Sequence, residues 1–311
     1  MRIIISDKTS AKCPEILRNA GLTVDEKYGI SADELGTIIN NYDGIIVRSA
    51  TRITAKLLEK TTRLKVIGRA GTGVDNIDVA AAKAKNIIVM NTPGANTNAV
   101  AELALALMLM LARRLHEAVN TTKAGGWEKK NLVGYELSGK SVAILGYNRV
   151  GRLLTRKCRL LGMETVCFDP KINKNITDSE RLEIKASLDA TVENADFLSV
   201  HLTKSPATEN FLNWDVFRKF RKGAVLVNCS RGGVVNESDL IRALNEDILS
   251  AAATDVYSQE PPTNTELLNH PRLICTPHIG ASTVEAQENV GILIAEQFVD
   301  FFSGKGARNT V

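Results

Sequence analysis

Short runs rich in isoleucine and valine alternate along the chain with longer stretches whose apolar residues recur at helical spacing. Apolar runs bounded by polar residues or glycine read as buried strands, and strands that alternate with helices specify parallel sheets covered on both faces. The pattern therefore predicts an α/β fold. In the first part, strands are expected at residues 2–6, 44–48, 65–68 and 87–90, with helices at 31–41 and 78–85 between them. A second series places six strands at 141–146, 164–168, 196–200, 224–229, 250–256 and 273–276, with a glycine-bearing turn after the first. That count and that turn are what a dinucleotide-binding domain of Rossmann type uses. Residues 97–115 join the two series as a helix that is hydrophobic nearly all round and, between residues 99 and 112, broken only by Glu102, the mark of burial at a domain or subunit junction.

Composition narrows the function classes. The 311 residues suffice for two domains with their own cores. A hydrophobic share of 44% and a charged share of 24% are those of a soluble globular protein. A net charge of only +4 speaks against nucleic-acid or membrane binding. Cys13, Cys158, Cys167, Cys229 and Cys275 are scattered without a Cys-x-x-Cys pair, so neither a metal site nor a disulfide framework is expected, and reduced thiols suit the cytoplasm. The apolar run at residues 3–5 is too short for a signal-peptide core. The longest uncharged apolar stretch, residues 103–112, is half of the ~20 residues that a bilayer span needs.

Candidate chemistry gathers at the strand ends of the second series. After Ser141-Val142-Ala143-Ile144-Leu145, Gly146 stands where the chain must turn sharply into a helix beginning near Arg149, with Val150 and Gly151 in its first turn. A helix N-terminus there offers free N–H groups and partial positive charge to a pyrophosphate, and Gly151 lets the helix pack closely on the strand. Asn148 stands where the Gly-x-Gly-x-x-Gly pattern has its second glycine. Asparagine tolerates left-handed backbone, but its side chain fills space that glycine leaves open to the pyrophosphate. The loop alone also fits an ordinary strand-to-helix turn. The next strand ends in Asp169, at the distance where an acidic side chain accepts hydrogen bonds from the adenine ribose. An anion there repels the extra phosphate of NADP, so the expected cofactor is NAD.

Three later strand ends deliver Arg231, Glu260 and His278. Each alone has a structural explanation, since arginines and glutamates mostly sit on solvated faces and a lone histidine is more often packing than catalyst. Together they form a working set for interconverting a 2-hydroxy acid and a 2-oxo acid. A planar guanidinium can grip the carboxylate with two prongs and polarise the neighbouring carbonyl. Histidine can exchange the hydroxyl proton near neutral pH, with Glu260 orienting the imidazole and favouring its protonated form.

Longer motifs point the same way. Val47-Arg48-Ser49-Ala50-Thr51, Gly68-Arg69-Ala70-Gly71-Thr72-Gly73-Val74-Asp75-Asn76, Asn228 to Gly233, and Pro277-His278-Ile279-Gly280-Ala281-Ser282-Thr283 resemble the D-isomer-specific 2-hydroxyacid dehydrogenases, and the resemblance covers nearly the whole chain. It implies that Arg231, Glu260 and His278 are catalytic. It also implies that Thr72, Gly146, Asn148, Arg149, Val150, Gly151, Asp169, Cys229, Ser230, Asp255, Gly280 and Ala281 line an NAD site, and that Arg48, Ser49, Arg69 and Asn96 surround the substrate.

The family plan implies a Rossmann-type NAD-binding domain at 97–283 and a flavodoxin-like substrate-binding domain at 1–96 and 284–311, the last helix (284–302) returning to pack on the first domain. Two arginines beyond Arg231 suit a phosphorylated hydroxy acid. The implied reaction is oxidation of 3-phospho-D-glycerate to 3-phosphohydroxypyruvate, the first step of serine biosynthesis. The alternatives are a dehydrogenase for hydroxypyruvate, glyoxylate or another D-2-hydroxy acid, and an NAD-sensing corepressor of the same fold. A homodimer is implied, with Trp127 as a dimer contact or else packed in the core. The sequence departs from the family at Lys129, where relatives often carry arginine, and at Leu202, where they commonly have threonine. With the chain ending at Val311, no C-terminal regulatory domain and no serine feedback through one are expected.

Overall fold

The computed structural model describes residues 1–178 and 182–311. The chain forms two compact units, Met1–Asn96 with Ala281–Val311, and Thr97–Gly280. The division after the second series thus falls at Gly280, three residues ahead of the expected 283.

The first unit begins β1 (Arg2–Ile5), α1 (Lys12–Asn19), β2 (Thr23–Glu26), α2 (Ala32–Ile38), β3 (Gly44–Val47), α3 (Ala55–Glu59), β4 (Val66–Arg69), α4 (Val79–Ala84) and β5 (Ile88–Met90). Its five strands are all parallel in the order β2-β1-β3-β4-β5, the flavodoxin-like winding. α1, β2 and α3 are additions to the elements expected from sequence. Ser31 starts α2 with a capping box to Glu34, and the helix ends at Ile38, after which Ile39–Asn41 tightens into a 3-10 turn. The expected helix at 31–41 is therefore shorter in its α-helical part.

The second unit continues with α5 (Thr97–Ala112), α6 (Leu115–Lys123), β6 (Ser141–Leu145), α7 (Arg149–Leu160), β7 (Glu164–Phe168), β8 (Ile176–Thr177), β9 (Glu183–Lys185), α8 (Leu188–Val192), β10 (Phe197–Val200), α9 (Trp214–Phe217), β11 (Ala224–Asn228), α10 (Glu237–Asn245), β12 (Leu249–Thr254), α11 (Thr265–Leu268) and β13 (Leu273–Cys275). The sheet order is β13-β12-β11-β10-β6-β7-β9-β8. Starting the numbering at β6 and leaving out β8, this contains the 3-2-1-4-5-6 order of a Rossmann sheet, with β8 pairing antiparallel at one edge. The chain reverses its winding between β6 and β10, so their carboxyl ends flank the crevice where such sheets bind ligands.

The apolar helix expected at 97–115 is two helices. α5 ends at Ala112, whose carbonyl accepts the Tyr135 amide at 3.0 Å instead of continuing the helical ladder. Arg114 then adopts a left-handed backbone (φ 49°) and caps the start of α6.

α12 (Val284–Phe302) belongs to the first unit. Thr283 caps it by accepting the Ala286 amide at 3.1 Å, and fully buried Gln297 donates to the Asn91 carbonyl at 3.0 Å beyond β5. Its Phe298 ring packs against β3 and β4, where only glycine leaves room. A Cβ at Gly44 would stand 2.9 Å from the ring, and one at Gly68 would collide with it. Burying such a ring contributes about 1.5–3 kcal/mol.

Candidate active site

The turn after β6 is built for close backbone approach. Gly146 takes φ 115°, and a Cβ there would sit 2.7 Å from the His201 carbonyl carbon across the switch point. A Cβ on Gly151 would run into the Gly146 carbonyl oxygen, so that position brings α7 down onto the strand end. Asp169, just past β7, accepts the Tyr147 amide at 2.9 Å on Oδ2 and the Lys171 amide at 3.0 Å on Oδ1. Two backbone donors thus fix the carboxylate beside the turn. A tight glycine cradle with an oriented acid at the next strand end fits the pyrophosphate and adenine ribose of NAD.

Asn148 behaves differently from the sequence-based expectation. Its backbone is extended (φ −93°, ψ −173°), which any residue adopts, so tolerance of left-handed backbone plays no part. Instead it is the N-cap of α7: Oδ1 accepts the Val150 amide at 3.0 Å and the Gly151 amide at 3.1 Å, and Nδ2 donates to the His201 carbonyl. His201 is buried, its Nε2 lies 2.9 Å from Ser199 Oγ, and burial pushes its pKa down to about 4. Leu202 is buried in the core, which gives the apolar residue at that position a packing role.

Further along the carboxyl edge of the same sheet, three loops converge. Past β11, Asn228 Oδ1 accepts the Ser230 amide at 3.1 Å and the Ser230 hydroxyl at 2.7 Å, and Arg231 donates from its guanidinium to the Ser230 carbonyl at 2.8 Å. A Cβ on Gly232 would penetrate the Tyr257 carbonyl, so this loop packs backbone to backbone on the segment that carries Glu260. Burial keeps Cys229 a neutral thiol by raising its pKa.

Glu260 Oε1 accepts the Tyr257 amide at 3.1 Å, and Oε2 lies 2.7 Å from His278 Nδ1. Burial raises the Glu260 pKa, but the His278 hydrogen bond, the Tyr257 amide and the charges of His278 and Arg231 together bring it below the ordinary carboxylate range. The His278 side chain remains 47% exposed, which leaves the imidazole open to a ligand.

His278 itself is held in left-handed backbone (φ 51°), a conformation that costs a non-glycine residue about 1–3 kcal/mol. Buried Asp255 supplies the restraint. Its Oδ1 accepts the Thr276 hydroxyl at 2.6 Å and the Ile279 amide at 2.8 Å, and its Oδ2 accepts the Gly280 amide at 2.8 Å. Asp255, expected to line the cofactor site, therefore has its carboxylate committed to shaping the His278 turn.

In the first unit the expected substrate residues also stand at strand carboxyl ends. Arg48 and exposed Ser49 follow β3, and Asp7 and Asn76 clamp their loop. Asp7 Oδ2 accepts the Arg48 amide at 2.5 Å and Oδ1 the Thr51 hydroxyl at 2.7 Å, while Asn76 Nδ2 reaches the Arg48 carbonyl at 2.7 Å and the Thr51 carbonyl at 2.6 Å. Arg69 ends β4 with its guanidinium laid over Gly71, and Thr72 donates to Asn96 Oδ1 at 2.8 Å. Asp7, Asn228 and Thr276 are supports beyond the site residues expected from sequence. Trp127 is 81% exposed, which removes the core-packing alternative.

Comparison with known proteins decides the kinship. Residues 105–280, more than half of the chain, match the D-isomer specific 2-hydroxyacid dehydrogenase, NAD binding domain. The chain belongs to that family. The expected cofactor, NAD, is that of the matched domain. Among its relatives, D-3-phosphoglycerate dehydrogenase of Pongo abelii is 42% identical over 310 residues, covering 100% of this chain and 58% of that protein. The chain thus spans little more than half the length of that relative. Two solved structures share the fold: NAD+-bound 3-phosphoglycerate dehydrogenase of Entamoeba histolytica (TM-score 0.84, 28% identity, 100% and 98% of the two chains covered) and glyoxylate reductase of Paecilomyes thermophila (TM-score 0.90, 26% identity, 100% and 98%).

Proposed function

We propose that the chain catalyses the NAD-dependent oxidation of 3-phospho-D-glycerate to 3-phosphohydroxypyruvate. The observation that carries this reading is the His278–Glu260 pair at 2.7 Å, set beside the Arg231 loop at the carboxyl ends of the Rossmann sheet. Bound NAD supplies the two-electron acceptor. With Nδ1–H given to Glu260, His278 Nε2 takes the substrate hydroxyl proton, and ionised Glu260 stabilises the imidazolium that results. Arg231 holds the carboxylate by its planar fork. The family resemblance assigns Arg48 and Arg69 to the substrate, and two further cations suit a phosphate, in keeping with the name borne by the relative at 42% identity.

Monitoring NADH consumption with 3-phosphohydroxypyruvate, hydroxypyruvate, glyoxylate and pyruvate in parallel tests the substrate. The phosphorylated acid is expected to have the highest kcat/KM. Preference for an unphosphorylated acid would replace this reading with a reductase of the glyoxylate type, and NAD binding without turnover would favour a corepressor.

The partner is a second copy of the chain. Leu109, Leu115, Val119, Trp127 and Val133 are each exposed along the stretch from α5 to the segment before β6, large apolar side chains of the kind that a partner covers. Sedimentation is expected to give a dimer that Trp127→Glu weakens; a monomer at micromolar concentration would reject it.

A further inference from the structure

The pyrophosphate cradle of the cofactor turn is filled by a side chain of the turn itself. A helix offers its first four amides without helical partners, and these are the groups that receive an anion. In α7 the Val150 and Gly151 amides both end on Asn148 Oδ1, at 3.0 and 3.1 Å. The Tyr147 amide is bonded to Asp169, and the Gly146 amide to the Phe168 carbonyl at 2.7 Å. Among the described residues, Arg149 is the first-turn residue of α7 whose amide has no acceptor within the turn. The other end of the Asn148 amide is tied to the His201 carbonyl, so the side chain bridges β6 and β10 over the switch point.

We infer that Asn148 sets the affinity for NAD by acting as an internal stand-in for the pyrophosphate. This deepens the cofactor assignment and rests on it. An amide is suited to the position because its oxygen accepts from the helix while its nitrogen donates to the strand end, so the closed turn leaves neither side unsatisfied. Before a pyrophosphate can take the Val150 and Gly151 amides, Oδ1 must leave them and the side chain must vacate the space above Gly146. Both steps oppose binding. Because differences in affinity at one interface fall mainly on dissociation, the effect is faster release of the dinucleotide. The extended backbone at Asn148 means that glycine or alanine fits there without strain, so a substitution changes the occupant and not the path of the chain.

The test measures dissociation constants for NAD, ADP-ribose and adenosine on the full chain and on Asn148→Gly and Asn148→Ala. Adenosine carries the ribose that Asp169 recognises but no pyrophosphate, so it also reports whether each variant is folded. The expected result is that both variants bind NAD and ADP-ribose about tenfold more tightly, the worth of one or two displaced hydrogen bonds, with adenosine unchanged. A weaker or unchanged affinity for NAD with adenosine intact would overturn the inference; weaker binding would make the amide itself a phosphate ligand. Glycine is a fair N-cap, so Asn148→Gly keeps a folded variant available should alanine loosen the helix. Failure of the unaltered chain to bind NAD or ADP-ribose would instead sink the cofactor assignment, and this inference with it.

Discussion

The turn after β6 and the turn after β13 stand at the same edge of one sheet and handle their polar groups in opposite ways. At the cofactor turn, the donors meant for a ligand are consumed internally by Asn148 and Asp169. At the acid–base turn, the internal bonds are spent on Asp255 and Glu260 so that the outer face of His278 stays open. One end must be unlocked by its ligand, and the other is assembled in advance. Preorganisation of the reacting groups lowers the barrier to chemistry, whereas a self-satisfied binding turn lowers affinity without touching that barrier.

The largest effect that would break this contrast belongs to the open end. His278→Ala should lower kcat by about 10²–10⁴-fold with NAD affinity unchanged, as measured by steady-state turnover and direct titration. Near-normal turnover would reject His278 as the proton carrier.

The next belongs to the closed end, where buried His201 lies beneath Gly146. Its folded pKa of about 4 is below the unfolded value of 6.5, so the unfolded chain takes up the proton first as pH falls. Stability is therefore complete above the unfolded value and declines as pH drops toward the folded one, by about 3 kcal/mol in all. Denaturation curves of the parent should lose that much more than those of His201→Gln across this window. Parallel losses would show that His201 is not the titrating group.

Smaller still, Glu260→Gln removes a charge-assisted hydrogen bond worth about 1.5–3 kcal/mol, so kcat should fall roughly 10–150-fold. A kcat equal to the parent's would mean that Glu260 does not support the imidazolium. Gly151→Ala, which drives a Cβ into the Gly146 carbonyl, should destabilise the fold by about 1–3 kcal/mol and weaken NAD binding. Unchanged melting would show that the turn yields more readily than its packing implies.

The contrast was only partly legible in sequence. Central strands such as β3 and β11 declare themselves, because they are buried along their whole length and carry nothing but apolar residues until their last position. β2 reads Thr-Val-Asp-Glu and β9 Glu-Ile-Lys, near sheet edges where half of each strand faces water, and no apolar run marks them. The break at Arg114 carries neither glycine nor proline and depends on Tyr135 reaching the Ala112 carbonyl from 23 residues away, a contact that no local pattern encodes. The strand-end rule picks out Arg231, Glu260 and His278 from spacing alone, and the fold brings Glu260 and His278 into hydrogen-bond contact. The roles of Asp7 and Asp255 lie in hydrogen bonds closed over tens of residues, and that of Asn148 in a choice between two acceptors, helix or ligand. Motif spacing cannot show which acceptor the folded chain prefers.

Phe298 carries a consequence for how the molecule is made. Its ring fills the space over Gly44 and Gly68, yet it leaves the ribosome after every residue of Thr97–Gly280. Domains ordinarily close in the order of their synthesis. Here the unit that starts first must wait with two glycine-lined strands uncovered while the whole of the second is translated. The second unit can meanwhile complete its sheet from contiguous chain. For that interval the nascent first unit exposes an apolar face, and the sequence after Gly280 acts as its delayed lid.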